Sequence, residues 1–127
     1  MGKDQMNLLT HNNTVRFGKL GYSEKESRVY LASLELGPTS VQNIAKKAGV
    51  KRVTTHAVLN VLMKRGMFEV SVVGKKRNYA ATSPEVLLLH LRQEKMNLDM
   101  KERILDELLH EFMTSGIIKK TSKKSKE

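Results

Sequence analysis

No cysteine occurs in the 127 residues. That excludes disulfides, thiolate nucleophiles and thiolate-ligated zinc, and points to a chain that works inside the cell. A run of about 18 apolar residues is also missing, so no membrane-spanning helix is expected. The first residues carry no apolar stretch behind a basic one, so no secretory leader is expected. There is no glycine-rich phosphate loop, since Gly74 stands alone. His11, His56, His90 and His110 are scattered along the chain. The pairs His90/Glu94 and Asp106/His110 come nearest to metal-ligand spacing, but a solvated helix face produces such i, i+4 pairs routinely. No metal, no cofactor and no catalysis are expected.

Acid is the other shortage. Thirteen Asp and Glu face 23 Lys and Arg, a net charge of +10. Between residues 43 and 77 nine basic side chains stand against Glu69 alone, and from residue 117 on five lysines stand against Glu127. A randomly charged surface would carry acids through such a block. Concentrated like this, it is an electrostatic footprint for a polyanion.

What fills the block is residues 39–66. Pro38 stops any helix running in. Thr39 is placed to cap a helix, with Gln42 three residues on to complete a capping box. Val41, Ile44, Ala45 and Ala48 then make one apolar stripe at helical period, and Gly49 supplies the left-handed residue that ends the helix. A second helix is predicted from Lys51 to Arg65, closed by Gly66. In it two stripes compete for the core, Val50/Thr54/Val58/Leu59/Leu62 and Val53/Ala57/Val61. The first is taken as core, which exposes Lys51, Arg52, Val53, His56, Ala57 and Asn60. A short capped helix, a glycine turn and a longer helix with a basic start form the helix-turn-helix pattern.

Upstream, Met6, Leu8 and Leu9 are read as a short helical turn, Asn12-Asn13 as a breaker, and Val15, Phe17 and Leu20 as one apolar turn docking on the domain. Ser23 and Glu26 form a capping box for a helix to Leu36 whose core candidates are Val29, Tyr30, Ala32, Leu34 and Leu36. Downstream, Phe68, Val70 and Val72 alternate with polar residues as a half-buried strand over 67–73. Gly74 to Arg77 is the expected turn, and Asn78 to Thr82 returns with Tyr79 and Ala81 on one face. A hairpin tipped with Lys75, Lys76 and Arg77 directly after the second helix is what a wing looks like. Ser83, Pro84 and Glu85 are a helix start, and no further glycine or proline occurs until Gly116. The resulting helix of about 31 residues is roughly 46 Å long, more than a domain of some 60 residues is wide. Leu91, Leu98, Leu105 and Phe112 recur every seven residues, with Ile104, Leu108 and Leu109 beside them. Glu94 and Lys101 interrupt the complementary positions, so the coiled coil is imperfect. Pairing two copies through Leu91, Leu98, Ile104, Leu105, Leu108 and Phe112 is the expected way to cover this stripe.

Residues 20 to about 113 resemble the winged helix-turn-helix regulators of the TrmB family, and more loosely the MarR group. The stretch Leu20-Gly21-Tyr22-Ser23 followed by a helix carrying Val29-Tyr30-Leu31 is similar to that family's opening. Leu36-Gly37-Pro38-Thr39, Ile44-Ala45, Ala48-Gly49-Val50, Arg52, Val58-Leu59, Leu62, Arg65-Gly66 and Lys76-Arg77-Asn78-Tyr79 continue it. The resemblance implies a second helix in the major groove, a wing on the backbone or minor groove, and a C-terminal helix that pairs two subunits. Val53 stands where the family usually has Ser or Thr, and His56 where it often has Tyr, so the bases read do not carry over. Larger members also have a C-terminal sugar-binding domain beyond where this sequence stops, and a sugar effector is not implied.

The expected architecture is therefore mainly α (α+β): an N-terminal extension over 1–19, a winged helix-turn-helix over 20–82, a long dimerisation helix over 83–115 and a basic, unstructured tail over 116–127. The expected partners are double-stranded DNA and a second copy of the chain, with no membrane partner and no identifiable small-molecule effector. The expected location is the cytoplasm, on a prokaryotic nucleoid. Lys51, Arg52, Val53, Thr54, His56, Ala57 and Asn60 are the candidate groove contacts. Thr39, Ser40, Lys46 and Lys47 are candidates for phosphate, and Lys75, Lys76 and Arg77 for the flanking backbone. A non-specific architectural DNA-binding protein is the alternative; a winged helix used only for protein assembly is a third.

Overall fold

Seven elements order the chain in the computed structural model, which describes residues 7–118. They are α1 (His11–Gly18), α2 (Glu24–Leu36), α3 (Val41–Ala48), α4 (Arg52–Lys64), β1 (Phe68–Val73), β2 (Lys76–Ala81) and α5 (Pro84–Thr114). This is a mainly helical winged helix-turn-helix fold with a two-stranded antiparallel wing. The chain divides into two compact units, one through Leu87 and one from Leu88 onward. Met6 and Lys119 to Glu127, named above for an N-terminal turn and a basic tail, lie outside the described residues.

In the first unit the core is built where α2 meets α3, α4 and β2. Val29, Tyr30, Ala32, Ile44, Ala48, Leu59 and Leu62 are all inaccessible to solvent. Tyr30 is its centre. Its ring packs against Phe17 at 4.9 Å and edge-on against Phe68 at 6.1 Å, and its hydroxyl donates to the Thr82 carbonyl. One side chain thus joins α1, α2, the wing and the segment that leads into α5. Aromatic pairs at these separations contribute about 0.5–1.5 kcal/mol each beyond the area they bury.

The helix starts follow capping chemistry. Ser23 and Glu26 form the reciprocal capping box expected for α2. In α3 the cap is Ser40 rather than Thr39: Ser40 Oγ accepts from the Asn43 N–H, and Asn43 Nδ2 donates to Thr39 Oγ1 at 2.8 Å. Thr39 is displaced from capping because its backbone pairs with Tyr79, N–H to carbonyl in both directions at 3.1 and 2.7 Å. That bridge fastens the entrance of α3 to the wing. Asn12 and Asn13 do not break the chain; they open α1, where Thr10 caps the Asn13 N–H and Asn13 Nδ2 donates to the Leu8 carbonyl. Leu8 and Leu9 pack on the core without a helical turn of their own.

Other expectations about packing need correction. Of Val15, Phe17 and Leu20, only Phe17 docks on the core, and the buried residue of α1 is Thr14. Leu36, at the last position of α2, is exposed and Leu31 is buried in its place. In β1 only Phe68 is buried, while Val70 and Val72 are open to solvent because, among the described residues, no element covers the outer part of the hairpin. The turn is also shorter than expected. Val73 pairs with Lys76, leaving the two-residue loop Gly74-Lys75. Gly74 has φ +68° and Lys75, like every other described non-glycine residue, does not have positive φ, which is the II′ pattern that matches strand twist. Lys76 and Arg77 therefore belong to β2.

The second unit is α5 from Leu88, then the turn at Ser115–Gly116. α5 spans 31 residues, as its uninterrupted sequence predicts, and buries none of them. Its exposed apolar side chains include two opposed sets, with Val86, Ile104 and Leu108 between them. Leu91, Leu98, Leu105 and Phe112 share one; Leu89, Met96 and Met100 share the other, offset from the first by roughly half a turn at 100° per residue.

Candidate nucleic-acid interface

The order of burial along α4 decides which way the helix faces. Thr55, Leu59 and Leu62 are fully buried and Val58 is half-buried, which places the core-facing stripe on one side. The other side carries Arg52, Val53, His56, Ala57, Asn60 and Lys64, all exposed, with Val53 82% accessible. Of the two competing stripes, the one assigned to the core is the one buried. The exception is the threonine pair. Thr55 occupies the core, its hydroxyl donating to the Val50 carbonyl at 3.4 Å, and Thr54 is half-buried at the edge. The sequence pattern assigned the stripe's threonine to Thr54, whereas Thr55, at i, i+4 and i+7 with Leu59 and Leu62, is the one buried.

The entrance of α4 is open. Lys51 stands at the N-cap with no side-chain hydrogen bond, and the first turn contains no acid. Its free N–H groups and the adjoining Lys51 and Arg52 make this end of the helix favourable for anions. The turn before it is held from behind. Gly49 sits in the left-handed region at φ +72°, and Arg28 Nε donates to the Ala48 carbonyl at 2.7 Å. Arg28 is not among the candidates that the sequence patterns point to. The signal that could have found its role is a cation between two core positions, Ser27 and Val29, both fully buried.

At the entrance of α3, the Thr39 and Ser40 oxygens accept bonds from Asn43, so each hydroxyl proton stays available to a phosphate oxygen. Lys46 is exposed. Lys47 is differently placed: Lys47 Nζ lies 3.1 Å from the Glu35 carboxylate, which also accepts the backbone N–H groups of Leu8 and Leu9 at 2.6 and 2.8 Å. Burial pushes the Glu35 carboxyl up, but the Leu9 N–H, Lys47 and the Leu8 N–H outweigh it and hold the group below its usual range. Lys47 is thus tied to α2 and the N-terminal segment.

On the wing, Lys75 is at the tip. Lys76 lies opposite Val73 and Arg77 opposite Val72, and successive strand residues point to opposite faces. The three cations are together in space but do not share one face.

Among the described residues no group of three or more His, Asp or Glu is placed to hold a metal, and no helix is long and apolar enough to cross a membrane.

Residues 17–85, which include all of this surface, match the sequence model described as the sugar-specific transcriptional regulator TrmB. The chain belongs to the TrmB family. That family is one of transcriptional regulators, and its members' function is DNA binding rather than catalysis. A search of curated protein sequences returns no match. Among solved structures, the archaeal chromatin protein TrmBL2 is similar at a TM-score of 0.61 and 21% identity, over 88% of this chain and 45% of that one. The chain therefore spans less than half the length of that TrmB-type relative. A MarR family transcriptional regulator from Silicibacter pomeroyi is similar at 0.51 and 16% identity, over 84% and 80% of the two chains. The ST1889 protein of Sulfolobus tokodaii is similar at 0.51 and 18%, over 80% and 99%. These likenesses confirm the winged-helix fold.

Proposed function

We propose that this TrmB-family chain is a sequence-specific regulator that binds double-stranded DNA as a homodimer, with α4 in the major groove and the wing on the backbone or minor groove. Residues 20–82 would be the reading domain and 83–115 the dimerisation helix. The observation that carries the proposal is the α4 face: an exposed stripe from Arg52 to Asn60, opposite a fully buried one, on a basic surface. A helix width fits the major groove, and each base pair there presents a distinct set of donors and acceptors. Arg52 is the candidate for a bidentate guanine contact and Asn60 a more distal one; Val53 and Ala57 suit thymine methyls. Thr39, Ser40, Lys46 and Lys51 hold phosphates, with Lys75, Lys76 and Arg77 on the flanking strand.

The middle of that face also supports a second reading. Val53 and Ala57 offer no hydrogen bonds, so few groups are left for base readout, as an architectural protein that grips backbone alone would have it. TrmBL2 is itself described as a chromatin protein, although 21% identity carries only the fold to this chain.

Selection of duplexes from a random pool separates the two. Regulation predicts an enriched half-site repeated about 34 Å, one helical turn, apart, and Arg52→Ala should then weaken binding to that site by about 1–3 kcal/mol, or roughly 5- to 150-fold. A pool that emerges without any enriched sequence would rule the specific reading out.

A further inference from the structure

An open cleft of about 500 Å³ lies beside the helix-turn-helix, between the first turns of α2 and α4. Lys25, Arg28, Lys51 and Thr54 line it together with Glu24 and the Gly49 turn. Three cations against one carboxylate leave it positive. Its central cation is fixed. Arg28 Nε is anchored on the Ala48 carbonyl at 2.7 Å, and a Cβ at Gly49 would come within 3.1 Å of the Arg28 guanidinium. The glycine turn thus admits the guanidinium against its backbone, and a Cβ there would require Arg28 to give by a few tenths of an ångström. With Nε engaged, the remaining guanidinium N–H groups have no acceptor in any hydrogen bond or ion pair found among the described residues. A guanidinium held in one orientation with free donors is suited to the planar, two-oxygen recognition of a phosphate.

We infer that Lys25, Arg28 and Lys51 form a clamp for a DNA backbone phosphate, contributed largely from α2, outside the helix-turn-helix itself. The inference rests on the DNA-binding proposal and extends its footprint to a third helix. Lys51, already placed at the entrance of α4, joins the clamp to the groove-facing surface. Arg28 acts in two ways: it donates to the phosphate and, through Ala48, it sets the angle at which α4 leaves the turn.

The test uses the full chain and a duplex, with binding measured across salt concentration. Lys25→Ala is the leading variant because Lys25 is exposed and takes part in no hydrogen bond or ion pair among the described residues. Loss of one phosphate contact should lower the magnitude of the log–log salt slope by about 0.9, and Lys25→Arg should restore it. Arg28→Gln retains a donor for Ala48 while removing the charge, and should show the same loss with an unchanged circular dichroism spectrum. Lys19→Ala, at an exposed lysine outside the cleft, should keep the parent slope. If the parent binds DNA steeply in salt but the Lys25 and Arg28 variants keep its slope, the clamp is wrong and the DNA proposal stands. If the parent binds no DNA, both fall. A pyrophosphate titration followed at the Gly49 and Thr54 amides tests the other source of phosphate. Weak, unsaturated shifts are expected; tight saturation would mark a site for a free phosphorylated ligand and overturn the assignment to backbone.

Discussion

Glu35 is the residue where local chemistry extends furthest along the sequence. Its carboxylate is 12% exposed and holds two backbone N–H groups from 26 and 27 residues upstream while pairing with Lys47. Hydrogen bonds to a charged group contribute about 1.5–3 kcal/mol each when both partners are covered. Because the folded carboxyl titrates below its ordinary value, its contribution is fully present above the unfolded value, near pH 4.3, and is lost as pH falls through the folded one. Acidification should therefore release the N-terminal segment ahead of the core. The protection factors of the Leu8 and Leu9 amides should fall once the pH drops below the ordinary glutamate range, and Glu35→Gln should lower them already at pH 7. Equal protection in parent and variant would mean the segment is held by Leu8 and Leu9 packing alone. Tyr30 reports on the opposite limb. Burial, with a smaller effect from Tyr22, raises its hydroxyl to about 12, so the neutral phenol stabilises the fold up to its unfolded value near 10 and loses that contribution as pH rises through the folded one. Tyr30→Phe leaves the Thr82 carbonyl without this donor and should cost about 1–2 kcal/mol in a denaturant melt. A loss below a few tenths would show that water replaces the bond.

At the level of elements, what could be read in advance was whatever a local pattern determines. The α2 capping box, the α3 stripe, the Gly49 turn, the buried side of α4 and the length of α5 each follow from residues a few positions apart. Several of the misreadings share a different cause: they depended on a partner distant in sequence. Thr39 loses the cap to Ser40 because Tyr79, 40 residues later, claims its backbone. Val70 and Val72 alternate as a half-buried strand should, yet nothing among the described residues packs over them, and alternation cannot report whether a cover exists. The candidate interface was legible to the same extent. The α4 face followed from period, whereas the diversion of Lys47 to Glu35 and the Arg28 anchor needed tertiary contact. The wing supplies a prediction at this scale. Its II′ loop requires positive φ at Gly74, so Gly74→Ala should strain the turn by about 1–2 kcal/mol. The hairpin should loosen, seen as faster exchange at the Val73 and Lys76 amides, while the helical core stays protected. If those amides are unchanged, the hairpin is held by its pairing near Tyr79 and not by its turn.

For the whole molecule, the question is what covers α5. Among the described residues α5 buries none of its 31, and beyond Leu87, which packs on the core, its apolar side chains have no cover; helices in proteins owe most of their stability to a covered apolar face. Leu91, Leu98, Leu105 and Phe112 keep a seven-residue spacing, which two helices can share as a seam only if they supercoil about each other. Ile104 flanks that seam, and the seam's second position is held in turn by Glu94, Lys101 and Leu108, so pairing is strongest toward the Phe112 end. This gives an asymmetry that can be measured. Leu105→Asp should dissociate the proposed dimer, doubling the monomer fraction or more in sedimentation at micromolar concentration, and should lower α5 helicity. Leu89→Asp, on the other face, should leave the dimer intact. Because binding two half-sites as one unit makes the second contact intramolecular, the Leu105→Asp monomer should also lose about 10²-fold or more in affinity for a two-half-site duplex while keeping its affinity for a single half-site. Should Leu105→Asp remain dimeric and Leu89→Asp dissociate, the seam would belong to the opposite face, and the heptad spacing would be coincidental.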